Sequence, residues 1–322
     1  NAAKSRRTSP QANVQFNDEG GDPMPDLTYI VPPEYDGEML QTFLRRECGL
    51  SYRMVVKLKR VPNGMTLDGK QWRSIDRINA GQVVGLKMPD DAVRIEGVDM
   101  PLSVVYEDDH LLVVDKPPYL AVHPSAGKPE PTLANGVVGY FERKGTPLSF
   151  RPVNRLDRNT SGLLVAAKSP HVAFALAQKP DKVYYAIVLG KLTGEGTVRQ
   201  PIRVKEGCTI TREVGEGGKD SITHWRALAT DGEVTLVRVV IETGRTHQIR
   251  VHMSWLGHPL AGDTMYGTDE VILPRHGLHC ARTAFDHPIT GERVSLYSPI
   301  PADMRGLLES RGLWDDRWDT EE

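Results

Sequence analysis

Cysteine is scarce. Three residues, Cys48, Cys208 and Cys280, are spread over 322 positions. That number is too small and too odd for a disulfide-stapled secreted scaffold, so they are expected to be free thiols of a reducing, cytoplasmic compartment. No run approaches the roughly 18 consecutive apolar residues of a membrane-spanning helix. The opening "NAAKSRRTSPQANVQFNDEGGDP" lacks the apolar core of a secretory signal, and its Asn1-Ala2 start reads as an expression remnant. The Asn159-Thr160-Ser161 glycosylation triplet is therefore a chance match. There is no glycine-rich phosphate loop, no internal repeat, and no Gly-x-Ser-x-Gly turn to carry a hydrolase nucleophile.

What is present is ordinary globular protein, long enough for about two domains. The formal charge is only −2, but the final "DDRWDTEE" holds five acids against one arginine, which leaves the rest slightly basic. Local clusters therefore say more than the total. Residues 1–26 are polar and rich in Gly, Pro and Asn, and are expected to be disordered.

Residues 27–89 read as a small α/β module. "GEMLQTFLRRECG" puts Met39, Phe43 and Leu44 at helical spacing, with Arg45 and Arg46 beside them. "SYRMVVKLKR" predicts a second helix, capped by Ser51 and ended by Pro62, with Arg53, Lys57 and Arg60 along one side. "MTLDGKQ" and "GQVVGLKMP" follow as short strands. Two basic helices on a small sheet suit an RNA-backbone clamp, although a solvated helix face is the commoner use of such charge.

Residues 90–101 read as a linker, 102–310 as the main domain and 311–322 as an acidic tail. "LSVVYEDDHLLVVDKPP" predicts two strands, "SGLLVAAK" and "KVYYAIVLGKL" one each, and "ITHWRALATDGEVTLVRVVIETG" a hairpin with an Asp-Gly turn. "SPHVAFALAQK" is a helix with Pro170 at its first position. "THQIRVHMSWLG" is another, with Thr246 as its cap and Gly257 as its stop. Hairpins with intervening helices argue for an α+β domain on a mixed, largely antiparallel sheet.

Four stretches place polar residues where a purely structural role is awkward. In "NRLDRNTSG", Asp157 has the commonest structural use of an aspartate open to it, a turn or helix cap. Flanking Arg155 and Arg158 weaken that reading, since they favour the ionised carboxylate. "GRTHQIRVH" crowds Arg245, His247, Arg250 and His252 onto one helix. A metal set of His247, His252 and His258 does not follow, because spacings of five and six put them on different faces. "DKPPYLAVHPSAG" offers Lys116, His123 and Ser125 on a loop. In "KVYYAIVLG", Tyr184 and Tyr185 point to opposite faces of a strand, one toward core and the other free to line a cleft.

Together these stretches resemble the RluA-type RNA pseudouridine synthases. "RPVNRLDRNTSGLLV" is similar to that family's catalytic motif and "TGRTHQIRVHMSWLGHPLAGDTMYG" to its downstream signature. "DKPPYLAVHPSAGKPEPTLANGV", "KVYYAIVLGK", "LHCARTAFDHP" and "SPIPADM" match in the family's order, over roughly residues 102–305. Tyr119 stands where members often have Gly. The N-terminal module is similar to the RNA-binding module named after ribosomal protein S-four, with Asp68 where Asn usually precedes Gly69.

The resemblance implies an isomerase that detaches uracil from ribose, turns it and rejoins it through carbon 5. That reaction is redox-neutral and hydrolyses nothing, so neither a cofactor nor a metal is expected. It makes Asp157 the catalytic carboxylate and Arg250 its guanidinium partner. Tyr184 becomes the residue that stacks on uracil and is placed to take the carbon-5 proton. Arg155 becomes the residue that fills the space left by an extruded uridine. Arg45, Arg46, Arg53, Lys57 and Arg60 would contact phosphates. The expected partner of a monomeric enzyme is RNA, ribosomal before transfer RNA. A non-catalytic RNA-binding or ribosome-assembly factor would show a broken constellation, whereas all three core residues are present. A glycoside hydrolase would need a second carboxylate as its acid, and none is expected in the four motifs.

Overall fold

The computed structural model describes residues 25–89, 95–124, 130–177, 180–268 and 272–319. The expected disordered start (up to residue 24), part of the linker, Ser125 and the last three tail residues lie outside these. The chain divides into two compact units, residues 1–92 and 93–322.

In the first unit, β1 (Leu27–Ile30), α1 (Leu40–Arg46), α2 (Tyr52–Leu58), β2 (Met65–Leu67), β3 (Lys70–Gln71) and β4 (Val83–Leu86) follow one another. The strands form an antiparallel sheet in the order β1-β4-β2-β3. Leu40, Phe43 and Leu44 of α1 and Val55 and Leu58 of α2 are buried with Ile78, Val84 and Leu86. Met39 does not share that face as its spacing suggested. It precedes the helix, bridges to Arg77 and is exposed, so Leu40 takes the core position instead. Ser51 caps α2 as expected, its Oγ accepting from the Met54 amide at 3.2 Å. Asp68 and Gly69 both have positive φ, 49° and 77°, which is the tight hairpin geometry that joins β2 to β3. Asp68 fits there because Oδ1 accepts from the Val83 amide (2.8 Å) and Oδ2 from Gln82 Nε2 (2.9 Å).

The second unit runs β5 (Ser103–Glu107), β6 (Leu111–Lys116), α3 (Leu133–Arg143), β7 (Arg151–Pro152), β8 (Ser161–Ala167), α4 (Pro170–Leu176), β9 (Asp181–Leu189) and β10 (Glu195–Arg199). It continues through β11 (Ile202–Val204), β12 (Arg212–Val214), β13 (Ile222–Thr230), β14 (Val234–Ile241), α5 (Gln248–Trp255), β15 (Leu278–Asp286), β16 (Arg293–Tyr297) and α6 (Ala302–Ser310). Its large sheet has the order β10-β13-β14-β9-β15-β8-β6-β5, with β16 added to β15 and β7 to β8. β15 and β8 run parallel and the other named pairs antiparallel, so the sheet is mixed and largely antiparallel. The fold class is α+β, as the hairpin pattern predicts.

Alternation along the strands sends side chains to two cores. Tyr184, Ala186 and Val188 of β9, with Val237 and Val239 of β14, join the main core with α3, α4 and α5. Tyr185 and Ile187, with Val234 and Leu236, join a second core closed by Met304 and Leu308 of α6. The two tyrosines do face opposite ways, and both are buried. Residues 96–100 lie along α3, where a side chain at Gly136 would strike Met100 and one at Gly139 the Val98 carbonyl. Part of the acidic tail packs too: Trp314 and Trp318 rest on the second core, and Asp319 accepts from the Ile300 amide at 3.0 Å.

Candidate active site

The stretch Asn154–Thr160 enters β8, a strand buried along its whole length. Gly162, near the start of that strand, has φ of 109°, and a Cβ there would stand 2.3 Å from the Cys280 carbonyl oxygen of β15. Only glycine lets the two strands close here. The turn itself is pinned from several sides. Thr160 donates its amide to the Asp157 carbonyl (3.1 Å) and pairs its hydroxyl with His276 Nε2 (2.8 Å). Arg275 Nη1 donates to the Asn159 carbonyl at 3.0 Å.

Lys116, at the end of β6 and wholly buried, donates from Nζ to the carbonyls of Pro117 (2.8 Å), Leu120 (2.9 Å) and Arg158 (3.1 Å). Its three protons are thereby used to tie two distant loops together. Burial, reinforced by the Arg275 charge, pulls its pKa down to about 7. Beside it Tyr119 adopts φ of 65°, the left-handed region that glycine favours. Its carbonyl accepts from Arg158 Nε at 3.1 Å, and the Arg158 guanidinium also pairs with Glu130 at 2.8 Å. Arg158 thus spends its hydrogen bonds on this turn and not on the Asp157 carboxylate that it was expected to support. The cation at Asp157 comes from elsewhere.

That cation is Arg250. In α5, Gln248 donates from Nε2 to the Ile222 carbonyl (2.9 Å) and accepts at Oε1 from the Thr243 hydroxyl (2.8 Å) and the Arg245 amide (3.0 Å), clamping the helix start to β13. Arg250 follows, buried, and donates from Nε and Nη2 to the two oxygens of Asp263 at 2.7 and 2.9 Å. Its remaining nitrogen, Nη1, reaches Asp157 Oδ2 at 3.2 Å. The Tyr266 ring lies 4.9 Å from its guanidinium carbon. Against the cost of burial, the Arg250 bonds hold the Asp263 carboxyl below the usual range.

Asp263 is a second carboxylate at this site, which corrects the expectation that the motifs hold none besides Asp157. It is anchored to Arg250 as an anion, so it is not placed to act as the acid of a glycoside hydrolase. Asp263, Tyr266, Arg275 and His276 belong to the site by tertiary placement. Asp263 and Tyr266 stand in "GDTMYG", whose charged and aromatic residues after a helix were the available signal.

Helix α5 starts one residue later than expected. His247, not Thr246, is its N-cap, with φ of 58° and no side-chain capping bond. Thr246 is displaced because the Gln248 clamp sets the helix start. His252 binds Thr223 Oγ1 (2.8 Å) and the Gln200 carbonyl (3.0 Å), and His258 the Leu189 carbonyl (2.9 Å). Among the described residues no group of three or more metal-ligating side chains gathers.

Tyr184 is buried in the main core. Burial, then the neighbouring Cys280 and the Asp157 charge, push its phenol well above the ordinary value. Arg155 is exposed. Burial and, next, the Arg155 charge lower the pKa of His123, whose ring packs 5.4 Å from Phe150. Arg45, Arg46, Arg53, Lys57 and Arg60 are all exposed on α1, α2 and the turn after them, in the other unit.

This fold, with a carboxylate and a guanidinium meeting at the sheet, defines a class that comparison makes specific. The family model described as RNA pseudouridylate synthase matches residues 110–255. An uncharacterized RNA pseudouridine synthase of Bacillus subtilis, YjbO, is 36% identical over 271 residues, covering 82% of this chain and 96% of that protein. Ribosomal large subunit pseudouridine synthase D of Vibrio parahaemolyticus is 37% identical, covering 76% and 80%. The solved human RNA pseudouridylate synthase domain containing 1 superposes with a TM-score of 0.53 at 27% identity, over 66% of this chain and 90% of that one. The chain belongs to the RluA-type RNA pseudouridine synthase family. It is an isomerase that acts on RNA.

Proposed function

We propose that this enzyme converts specific uridines of large-subunit ribosomal RNA to pseudouridine through Asp157, with no cofactor. The observation that carries the catalytic part is the geometry of Arg250. Fixed by Asp263 on one edge, it offers its last nitrogen to one oxygen of Asp157. A carboxylate so held is oriented before substrate arrives, which is the pre-organisation that attack on a sugar carbon requires. The ribosomal assignment is supported by the names of relatives from several bacteria, each a ribosomal large subunit pseudouridine synthase D.

In this reading Asp157 acts on the ribose of an extruded uridine: the bond from nitrogen 1 to carbon 1′ breaks, uracil turns against Tyr184, carbon 5 bonds to carbon 1′, the carbon-5 proton passes to water and nitrogen 1 ends protonated. With its phenol pushed well above the ordinary value, Tyr184 keeps its proton near neutrality. It therefore serves as the stacking surface in preference to the base. Arg155, exposed two residues before Asp157, fills the vacated stack in this reading. The basic residues of α1 and α2 supply phosphate contacts without sequence preference.

The test uses RNA labelled with tritium at carbon 5 of uridine. Ribosomal and transfer RNA are incubated separately with the protein and with an Asp157→Asn variant. Tritium release from ribosomal RNA by the natural protein alone is the expected result. Release from transfer RNA only would move the substrate. Release by the variant would remove Asp157 from the chemistry.

A further inference from the structure

His247 has an unfavourable backbone conformation that helix capping does not explain. Its φ of 58° lies where a side chain with a Cβ is strained, and the other described non-glycine residues there are Asn63, Asp68 and Tyr119. Standing at a helix N-cap, it contributes no capping bond, although Ser, Thr, Asn or Asp would. What the strained conformation does is aim the imidazole.

The ring is nearly enclosed, with 11% of its side chain exposed, and lies edge-on to Tyr266 with ring centres 5.6 Å apart. Its Nδ1 is 2.7 Å from the Tyr266 hydroxyl oxygen, and its Nε2 is 3.8 Å from Asp157 Oδ2. The neighbours favour one arrangement of the protons. The Tyr266 oxygen already accepts from the Arg212 amide at 2.9 Å, which favours its hydroxyl as the donor to His247 Nδ1. The imidazole proton is then on Nε2, facing the carboxylate, which favours that tautomer further. Burial holds His247 below its ordinary pKa, consistent with a neutral ring in this arrangement.

Two donors thus converge on one atom. Arg250 Nη1 and His247 Nε2 both address Asp157 Oδ2, and among the described residues no hydrogen bond reaches Oδ1. We propose that His247, braced by Tyr266, is a positioning residue for Asp157: together with Arg250 it restrains Oδ2, so that Oδ1 is the oxygen presented to the ribose. This rests on the reading of Asp157 as the catalytic carboxylate. The 3.8 Å separation is longer than a hydrogen bond, and a small rotation of the carboxylate closes it, as free active sites often require. The β11–β12 hairpin enters the arrangement through the Arg212 amide, so its placement also sets the orientation of Tyr266.

Two substitutions separate aim from architecture. His247→Gln places an amide nitrogen near the position of Nε2. His247→Asn reaches only the position of Nδ1, while suiting the left-handed backbone better than histidine. Single-turnover and steady-state tritium release are measured for both, beside Tyr266→Phe, the His247→Asn/Tyr266→Phe double variant and Asp157→Asn. His247→Asn is expected to lower kcat by about 10- to 100-fold with KM within about twofold, since misplacing a reacting group costs that much. His247→Gln is expected to recover most of the rate, and the double variant to be no slower than His247→Asn alone.

Natural activity in His247→Asn, or equal losses in the Gln and Asn variants accompanied by equal losses of melting temperature, would overturn the proposal. If Asp157→Asn is inactive while His247→Asn is normal, only the positioning role fails. If Asp157→Asn stays active, the reading beneath it fails.

Discussion

Asp68 and Asp157 are both loop aspartates, one in each unit, and both precede the residues that start or continue a sheet. Asp68 has both oxygens engaged by neutral donors, the Val83 amide and Gln82 Nε2, and its task is finished when the hairpin forms. Asp157 has one oxygen engaged, by a guanidinium, and the other has no hydrogen bond among the described residues. Glu107 shows that cations alone do not make the difference. It is held by Lys168 on one oxygen and by Lys144 and Tyr140 on the other, and it joins β5, α3 and the residue after β8 as a structural tie. The carboxylate suited to chemistry is the one that is oriented but unfinished.

The sharpest way to break the comparison is to replace each aspartate by asparagine. Asp157→Asn is expected to lower tritium release by at least about a thousandfold and to leave the melting temperature nearly unchanged. Asp68→Asn is expected to leave both turnover and melting temperature nearly unchanged, because an Asn-Gly turn is equally at home there. Arg250→Lys comes next. It loses the two-pronged grip on Asp263 along with the reach to Asp157, and is expected to lower kcat by about a hundredfold and stability by about 2 kcal/mol. Denaturant unfolding read alongside turnover checks both.

Lys116→Met leaves three carbonyls without their donor and is expected to cost about 2–3 kcal/mol, with activity falling because the Asp157 turn loosens. Unfolding in urea measures the first, and a rate loss partly recovered at lower temperature the second. The smallest effect concerns pH. Despite burial, Lys144, Tyr140 and Lys168 draw Glu107 down to about 2 from an ordinary 4.5. A depressed carboxylate pKa contributes stability that is present above 4.5 and is lost as pH falls toward 2. The gap in urea midpoint between the natural protein and Glu107→Gln should therefore be full at pH 6 and shrink by pH 3. A constant gap would mean that packing, not charge, is what Glu107 supplies.

Much of this was readable from local pattern. The Asp-Gly hairpins, the buried strand at 161–167, the helix with Pro170 at its start and the opposed tyrosines are all consequences of short-range periodicity and turn chemistry. α3 also has a local signature: Thr132 and Asn135 form a capping box at the start of a helix that buries Leu133, Val137 and Phe141. The supports of the site were not legible, because they are made across long separations. Thr160 meets His276, Lys116 meets the Arg158 carbonyl, and Arg250 is shared between Asp157 and Asp263 only once the sheet has formed. At Met39 and Thr246 local spacing points one position away from the helix boundary, which tertiary partners set.

The single ammonium of Lys116 separates the site from the length of the chain that closes it. Carbonyls 38 to 41 residues apart, those of Leu120 and Pro117 on one side and Arg158 on the other, are referenced to one nitrogen atom, which joins His276 and Arg275 in fixing the Asp157 turn. The exposed turn that follows α3 is therefore a place where the chain can lengthen without moving that reference. Inserting four Gly and Ser residues after Gly145, an exposed turn glycine, should add only a few tenths of a kcal/mol of loop-closure cost and leave kcat unchanged. A fall in kcat would mean that the path itself carries information to the carboxylate.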